Sequence, residues 1–304
     1  MCGSVWEVSC DSPHIMASIQ EAFEPADFLS SPPDLSLSLS VDSTCFEEKR
    51  WPQPYFRGMD HLVYAAYGPG SSMLINLRTC HVIGSFSFAM ASDSAYWKQV
   101  ILPVLLGIVS QSIKVTPLHC ACLVKNGNGL LLGGFSGAGK STLALSLACQ
   151  GLDYLSDDWT YFSNLDEDLR AYGLPIPVKL LPDAVKYFPQ LSSLDPHVSL
   201  NGEIAFEVDP VKAFGVGRTL NCAPRWLVFV ERMAEPRATF TEISSAEAAS
   251  RFASELETLP ASIADLQEVQ LDTIAKVVDR QCWVLRHGLS PDSLAGELLA
   301  FCEN

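Results

Sequence analysis

Basic residues are scarce in this chain of 304 residues, and their scarcity argues against two classes of partner. The 20 Lys and Arg side chains face 35 Asp and Glu side chains, which gives a formal net charge of -15. A surface this acidic repels the phosphates of nucleic acids and the headgroups of anionic lipids. We therefore expect neither a nucleic acid nor a membrane among the partners of the protein.

A long apolar run and a basic amino-terminal segment are also missing. The longest apolar run, Val100–Val109, contains Pro103 and is shorter than the roughly 20 residues that a membrane-spanning helix needs. No Lys or Arg precedes Lys49, so the basic start of a secretory signal is lacking. The ten cysteines are scattered without zinc-ligand spacing, and free thiols are typical of a reducing compartment. The sequence therefore predicts a cytoplasmic location.

Apolar periodicity divides the chain near residue 115. Before this point, residues 61–67, 71–77 and 80–88 have the pattern of short strands, and residues 93–113 have that of a helix. After it, strands and helices are mixed, with an apolar strand over 226–232 and a final helix that begins at Pro291. We predict a small β-rich N-terminal region over residues 1–115 and an α/β catalytic domain over residues 116–304.

The segment Gly134–Ser141 carries the clearest chemical signal. It reads GFSGAGKS and lies between an apolar strand and a helix predicted to be amphipathic, the context that a phosphate-binding loop requires. Glycines let backbone N–H groups turn toward phosphates, and the helix adds its positive N-terminal end. In such a loop the lysine contacts the β- and γ-phosphates and the serine contacts Mg²⁺. We therefore predict that ATP is bound by Gly134, Ser136, Gly137, Ala138, Gly139, Lys140, Ser141 and Thr142.

Two adjacent acids follow the loop at a meaningful distance. Asp157 and Asp158 lie 17 and 18 residues after Lys140, which leaves room for one helix and one strand. We expect both near the C-terminal end of a strand over 154–162, next to the strand of the loop, where open α/β sheets bind ligands. One carboxylate would face Mg²⁺ and the other would take a proton from an acceptor hydroxyl. A polar strand end or a helix cap is the alternative interpretation.

The segment Leu118–Trp159 as a whole resembles the catalytic segment of the HPr kinase/phosphorylase family and its diverse serine-kinase relatives. The shared order is a histidine on a hairpin strand, a turn, a strand, G-x-S-G-x-G-K-S, a helix, and a strand ending in two aspartates. The resemblance implies a P-loop kinase core related in fold to phosphoenolpyruvate carboxykinase. It implies ATP and Mg²⁺ as cofactors, a serine-bearing protein, peptide or small molecule as acceptor, and is compatible with a homo-oligomer.

The same resemblance implies roles for individual residues. Asp157 would be the catalytic base, Asp158 and Ser141 would bind Mg²⁺, Lys140 would bind the phosphates, and His119 would lie beside the γ-phosphate. The family's third acid, a glutamate in the context E-x-R-G, has no counterpart here, and Asp183 is a loose candidate for its place.

Two other functions remain open from the residues alone. A small-metabolite kinase of the shikimate or gluconate type also places an acid on the strand after the loop helix, but it has no antiparallel hairpin before the loop strand. A nucleotide-binding module without catalysis is compatible with the missing third acid.

An arginine near the γ-phosphate can stabilise charge in the transition state. The candidates for this contact are Arg218, Arg225 and Arg232. Arg218 is preferred because two glycines lie just before it.

Overall fold

The computed structural model describes residues 2–23, 32–42, 51–163, 168–199 and 202–303, which form a mixed α/β structure with several sheets. The chain divides into two compact units. The first comprises residues 1–116 and 257–270, and the second comprises residues 117–256 and 271–304. The boundary predicted near residue 115 is close to the one observed after residue 116. The sequence did not predict that residues 257–270 belong to the first unit.

The first unit is built on a six-stranded mixed sheet of order β1-β2-β6-β5-β4-β3. Its strands are β1 (Trp6–Cys10), β2 (Leu35–Asp42), β3 (Tyr55–Met59), β4 (Leu62–Gly68), β5 (Ser71–Asn76) and β6 (His81–Ser87). Its helices before residue 117 are α1 (Pro13–Ala22), α2 (Phe88–Ser92), α3 (Ser94–Tyr96) and α4 (Leu102–Val109). Strands β4, β5 and β6 confirm the three strands predicted from the sequence.

The helical stretch predicted over 93–113 is interrupted. The carboxylate of Asp93 caps α3 by accepting the N–H of Tyr96, but a π-helical turn over Trp97–Ile101 separates α3 from α4. Pro103 follows this turn and has no N–H to donate to the preceding turn, which favours a break in regular α-helix at this place.

The second unit contains the larger sheet. Its strands are β7 (Val115–Leu118), which begins in the first unit, β8 (Ala121–Lys125), β9 (Asn128–Gly133), β10 (Asp153–Ser156), β11 (Thr160–Ser163), β12 (Arg170–Tyr172), β13 (Val178–Leu180), β14 (His197–Val198), β15 (Ile204–Val208), β16 (Asn221–Arg232), β17 (Ala238–Ile243) and β18 (Cys282–His287). Its helices are α5 (Lys140–Cys149), α6 (Pro210–Phe214), α7 (Ser245–Ala253), α8 (Ala264–Val277), which begins in the first unit, and α9 (Pro291–Phe301). Short 3₁₀ turns cover Pro182–Lys186 and Pro189–Ser193 in this unit, and a third, Ala261–Ile263, belongs to the segment 257–270 of the first unit.

Strand β16 organises this sheet. The strand order is β10-β8-β9-β16-β12-β11-β7, with β18 also paired to β16 and β17 paired to β18. The apolar run Leu227–Val230 is buried on both faces, as the sequence predicts: Val228 and Val230 join a core with α5 and α9, and the alternate side chains join one with α7 and α8. Each such side chain contributes about 1.5–3 kcal/mol by leaving water, so this strand holds the loop strand beside it firmly in place.

The hairpin before the loop forms as predicted. Strands β8 and β9 pair antiparallel, and the two turn residues Asn126 and Gly127 both have positive φ, 53° and 78°. Asn and Gly tolerate this conformation at low cost, and it matches the twist of two paired strands.

Helix α5 differs from the amphipathic helix that the sequence suggests. Six consecutive residues, Leu143–Ala148, are buried. They are covered because α5 lies between the sheet, helix α9 and strand β13, which belongs to a small three-stranded sheet of order β13-β15-β14.

No helix in the described part of the chain combines the length and the apolar composition needed to cross a membrane. All nine cysteines within the described ranges are free thiols.

Candidate active site

The glycine-rich loop joins the end of β9 to the start of α5. Three of its glycines have positive φ: Gly134 at 136°, Gly137 at 82° and Gly139 at 92°. At Gly134 a Cβ atom would lie 2.6 Å from the carbonyl oxygen of Val230 in β16. The loop backbone therefore runs so close to the neighbouring strand that only glycine fits there.

Lys140 is the first residue of α5 and is buried, with 6% of its surface exposed. Its Nζ donates to the carbonyl oxygen of Gly134 at 2.6 Å and lies 3.4 Å from that of Phe135. Desolvation lowers the pKa of the ammonium group, although the nearby acids oppose this. The lysine thus places a cation inside the turn of the loop.

The two aspartates reach the same edge of the sheet as the loop. Strand β10 is antiparallel to β8, and β8 is antiparallel to β9, so β10 and β9 run in the same direction. Asp157 and Asp158 follow the C-terminal end of β10 directly. The expectation that their strand lies next to the loop strand is wrong, because β8 lies between the two.

The expected single strand over 154–162 is also wrong. The two aspartates lie between two separate strands, β10 and β11. The chain bends at the acids, so they occupy a turn at the sheet edge.

Asp157 has an unusual environment for a carboxylic acid. Only 7% of its surface is exposed. Burial, helped by the charge of Asp158, raises its pKa to about 7, although the Ser141 hydroxyl and the backbone N–H of Lys179 lower it by hydrogen bonding. Its Oδ1 is buried and has no hydrogen-bond partner among the described residues. A buried oxygen that accepts no hydrogen bond destabilises the folded protein. Oδ1 of Asp157 is therefore available to take a proton or to accept a hydrogen bond from a ligand.

Asp158 lies in a different environment and contacts His119. Its side chain is 60% exposed, and its Oδ1 lies 2.9 Å from Nε2 of His119. Partial desolvation raises the pKa of this carboxyl, but the hydrogen bond and the charge of His119 outweigh it and hold the pKa below its ordinary value. Neighbouring acids with pKa values shifted in opposite directions fit two different chemical roles.

His119 lies in a bend between β7 and β8, and the prediction that it is part of the hairpin strand is wrong. Its Nδ1 lies 3.2 Å from Oε2 of Glu255, and its ring is 5.5 Å from that of Trp159. The hydrogen bond to Asp158 is the main reason that the pKa of His119 is raised.

Glu255 is a neighbour that sequence reasoning did not identify. It is separated from His119 by 136 residues and belongs to no recognisable motif.

Of the three candidate arginines, Arg232 contacts the loop. It is the last residue of β16, and its Nε lies 3.4 Å from the carbonyl oxygen of Ala138. Arg225 lies over the ring of Trp226 at 4.9 Å, next to the start of β9 and thus toward the opposite end of the strands. Arg218, the preferred candidate, pairs with Asp209 at 3.3 Å.

The loose candidate for a third acid, Asp183, is paired with Lys186 at 3.0 Å in an exposed 3₁₀ turn.

The remaining predicted loop residues differ in exposure: Ser136 and Gly137 are exposed, and Ala138, Ser141 and Thr142 are half-buried.

A shallow pocket that is open to solvent lies beside the loop. Phe135 of the loop is 71% exposed. The lining residues are His119, Gly134, Phe135, Phe229, Arg251, Phe252 and Glu255. The pocket therefore continues from the loop to the histidine.

The oxygen atoms near Lys140 fit a hard divalent cation held jointly with phosphates. Magnesium is commonly bound by one or two carboxylates, with substrate oxygens and water completing its shell. Ser141 and the exposed carboxylate of Asp158 supply this type of donor. The described residues contain no group of three or more His, Cys, Asp or Glu side chains arranged to hold a metal by themselves.

No family model matches the chain, and no curated protein matches it. Among solved structures, it is similar to the Hpr(Ser) kinase/phosphatase from Coxiella burnetii, with 13% sequence identity and a TM-score of 0.30. The match covers 62% of this chain and 99% of that chain. A likeness this low carries no argument about function.

Proposed function

We propose that the protein is an ATP-dependent kinase that transfers the γ-phosphate to a serine-type hydroxyl of a protein, peptide or small molecule. The observation that carries the proposal is the position and state of Asp157. It lies at the sheet edge where the glycine loop begins, and burial brings its pKa to about 7. A general base works best when its pKa is close to the working pH.

Asp157 takes the proton of the acceptor hydroxyl in the proposed reaction. The hydroxyl oxygen forms a bond to the γ-phosphorus, the bond from that phosphorus to the β–γ bridging oxygen breaks, and ADP leaves. The unpartnered Oδ1 supports this role because it is an acceptor with no competing donor.

The loop and Lys140 bind and orient the phosphates. Gly134, Gly137 and Gly139 have the positive φ that allows a tightly curved backbone, and α5 directs its N-terminal end at the loop. Lys140 is already inside the turn, where its ammonium group would exchange backbone carbonyl oxygens for phosphate oxygens. Arg232 lies against Ala138 and is a further cation beside the phosphates.

Ser141 and Asp158 would hold Mg²⁺. When bound, the ion neutralises charge on the phosphate oxygens. His119 would hold Asp158 at the mouth of the loop and lie beside the γ-phosphate, in agreement with the 2.9 Å contact between the two side chains.

The antiparallel hairpin of β8 and β9 favours this proposal over a metabolite kinase of the shikimate or gluconate type. That alternative calls for a helix, rather than an antiparallel strand, before the loop strand. The other alternative, a nucleotide-binding module without catalysis, shares the loop geometry and is separated from the proposal by turnover alone.

The test is incubation with γ-labelled ATP and Mg²⁺ against a panel of serine-bearing proteins, peptides and small molecules. We expect label transfer by the wild type and a loss of roughly 100-fold or more in Asp157→Asn, because a positioned base contributes about 10²–10⁴ in rate. The affinity for ATP should change little. Asp195→Asn, the same substitution at an exposed position, is the matched control.

Full transfer by Asp157→Asn would show that this residue is not the base. Tight binding of Mg·ATP without transfer to any acceptor would favour the non-catalytic module.

A further inference from the structure

The ring of His119 lies between two carboxylates that come from distant parts of the chain. Nε2 faces Asp158 at 2.9 Å and Nδ1 faces Glu255 at 3.2 Å. Carboxylate oxygens accept hydrogen bonds, so the protonated ring can donate to one carboxylate from each nitrogen. Two acceptors on different sides of the ring fix its direction as well as its place.

Glu255 is held by the structure around it. Its backbone N–H donates to the carbonyl oxygen of Phe252 at 3.1 Å, and Phe252 is buried in the core with only 2% of its surface exposed. Helix α7, which ends just before Glu255, is capped by Ser244, whose hydroxyl accepts the N–H of Glu247. The backbone of Glu255 is therefore tied to the C-terminal end of α7, next to a side chain of the core.

Apart from Glu255, no neighbour of the His119 ring among the described residues accepts a hydrogen bond from its Nδ1. Trp159 lies beside the ring at 5.5 Å with the two planes inclined at 33°, so it limits the space around the ring without accepting the Nδ1 proton. Only Glu255 contacts Nδ1 among the described residues that form hydrogen bonds or ion pairs with His119. Without that acceptor, the ring could turn and its Nε2 would leave Asp158.

We propose that Glu255 is a positioning residue, which orients His119 so that Nε2 donates to Asp158 and keeps that carboxylate at the mouth of the loop. Glu255 acts through the histidine and needs no contact with nucleotide or acceptor. The catalytic consequence rests on the proposed kinase function, whereas the orientation of the ring is a property of the protein by itself.

The first part of the test is NMR of the nucleotide-free protein carrying ¹⁵N-labelled histidine. The signals of His119 are identified by their loss in His119→Ala. We expect a ring N–H proton protected from exchange with solvent in the wild type and in Glu255→Gln, whose amide oxygen still accepts. The signal should disappear in Glu255→Ala. Glu297→Ala, which removes an exposed glutamate of α9, should leave it unchanged.

The second part is a double-mutant cycle on phosphate transfer. Glu255→Ala should lower kcat by roughly 10- to 100-fold, as is typical when a supporting partner is removed, with the KM for ATP nearly unchanged. Glu255→Ala should have no further effect in the His119→Ala background, because the two residues act as one unit. Glu255→Gln should recover most of the rate.

Two results would overturn the proposal: an unchanged His119 ring signal in Glu255→Ala, or rate losses that simply multiply in the double variant. If the wild type transfers no phosphate to any acceptor, the kinase function fails, and the NMR result alone then decides the positioning role.

Discussion

Burial of the Asp157 carboxyl affects the stability of the protein as well as its chemistry. Its pKa of about 7 in the folded protein is above the ordinary value of 3.8, so the folded state binds more protons than the unfolded state between these two values. The free energy of unfolding therefore falls as the pH rises from about 4 to about 7. The buried carboxyl of Asp157, the proposed base, therefore lowers the stability of the folded protein near neutral pH.

The first prediction concerns Asp157→Asn, which has no charge to bury. The wild type loses stability as Asp157 ionises, and a change of one pKa unit corresponds to about 1.36 kcal/mol. The free energy of unfolding of the variant relative to that of the wild type should therefore increase by up to about 3 kcal/mol between pH 5 and pH 8. Urea unfolding of the nucleotide-free proteins at the two pH values measures this change. Asp195→Asn should show no such growth, and a constant difference for Asp157→Asn would mean that its carboxyl titrates normally.

Single residues were predictable where a contiguous motif fixes their place. Lys140 follows directly from the pattern of the loop, because strand, turn and helix leave its side chain little choice of direction. His119 was assigned to the right neighbourhood but to the wrong element, since nothing local marks the bend between β7 and β8. Glu255 could not be predicted, because its contact depends on how α7 packs on the sheet.

At the scale of elements, the junction between β9 and α5 depends on glycine for two separable reasons. Gly134 and Gly137 both have positive φ, but their surroundings differ. A Cβ atom at Gly134 would lie 2.6 Å from the carbonyl oxygen of Val230, whereas one at Gly137 would meet nothing within 4 Å. The fold requires glycine at position 134 for close packing on β16 as well as for positive φ, and at position 137 for positive φ alone.

The second prediction compares Gly134→Ala with Gly137→Ala. Positive φ alone costs a residue with a side chain about 1–2 kcal/mol, and the clash with Val230 adds about 1–3 kcal/mol. Gly134→Ala should therefore be clearly the more destabilising substitution in urea unfolding. Equal losses would show that the loop can move away from β16 without cost.

Elements with strong apolar periodicity were predicted well, and short ones were not. The central strand β16 was recognisable because its apolar run is buried on both faces. Strands β13 and β14 have only three and two residues, too few to carry a pattern. The order of strands was beyond local reasoning: nothing between Lys140 and Asp157 reveals that β8 lies between β9 and β10.

At the scale of the whole molecule, charge is unbalanced. The formal net charge of -15 means that folding brings many like charges together, which opposes the compact state. Dissolved salt screens such repulsion over about 10 Å at 0.1 M ionic strength.

The third prediction follows from this imbalance. Raising the NaCl concentration from about 20 mM to about 500 mM should raise the Tm by a few degrees, because screening weakens repulsion between exposed carboxylates. Thermal unfolding in NaCl and in choline chloride measures the effect, and the two salts should act alike if screening is the cause. A Tm that stays constant or falls would mean that attractive ion pairs outweigh the repulsion.

The division into units was only partly readable from the sequence. The change from β-rich to mixed periodicity near residue 115 lies close to the first boundary, at residues 116 and 117. The segment 257–270 belongs to the first unit, and its own composition gives no sign of this because the assignment depends on contacts across the chain.

A crystal structure of the protein with Mg²⁺ and a non-hydrolysable ATP analogue tests the central proposal most directly. We predict a triphosphate inside Gly134–Ser141, with Nζ of Lys140 moved from the carbonyl oxygen of Gly134 to phosphate oxygens, and with Asp157 and Asp158 facing the terminal phosphate. An empty loop at saturating nucleotide, or carboxylates turned away from the phosphate, would contradict it.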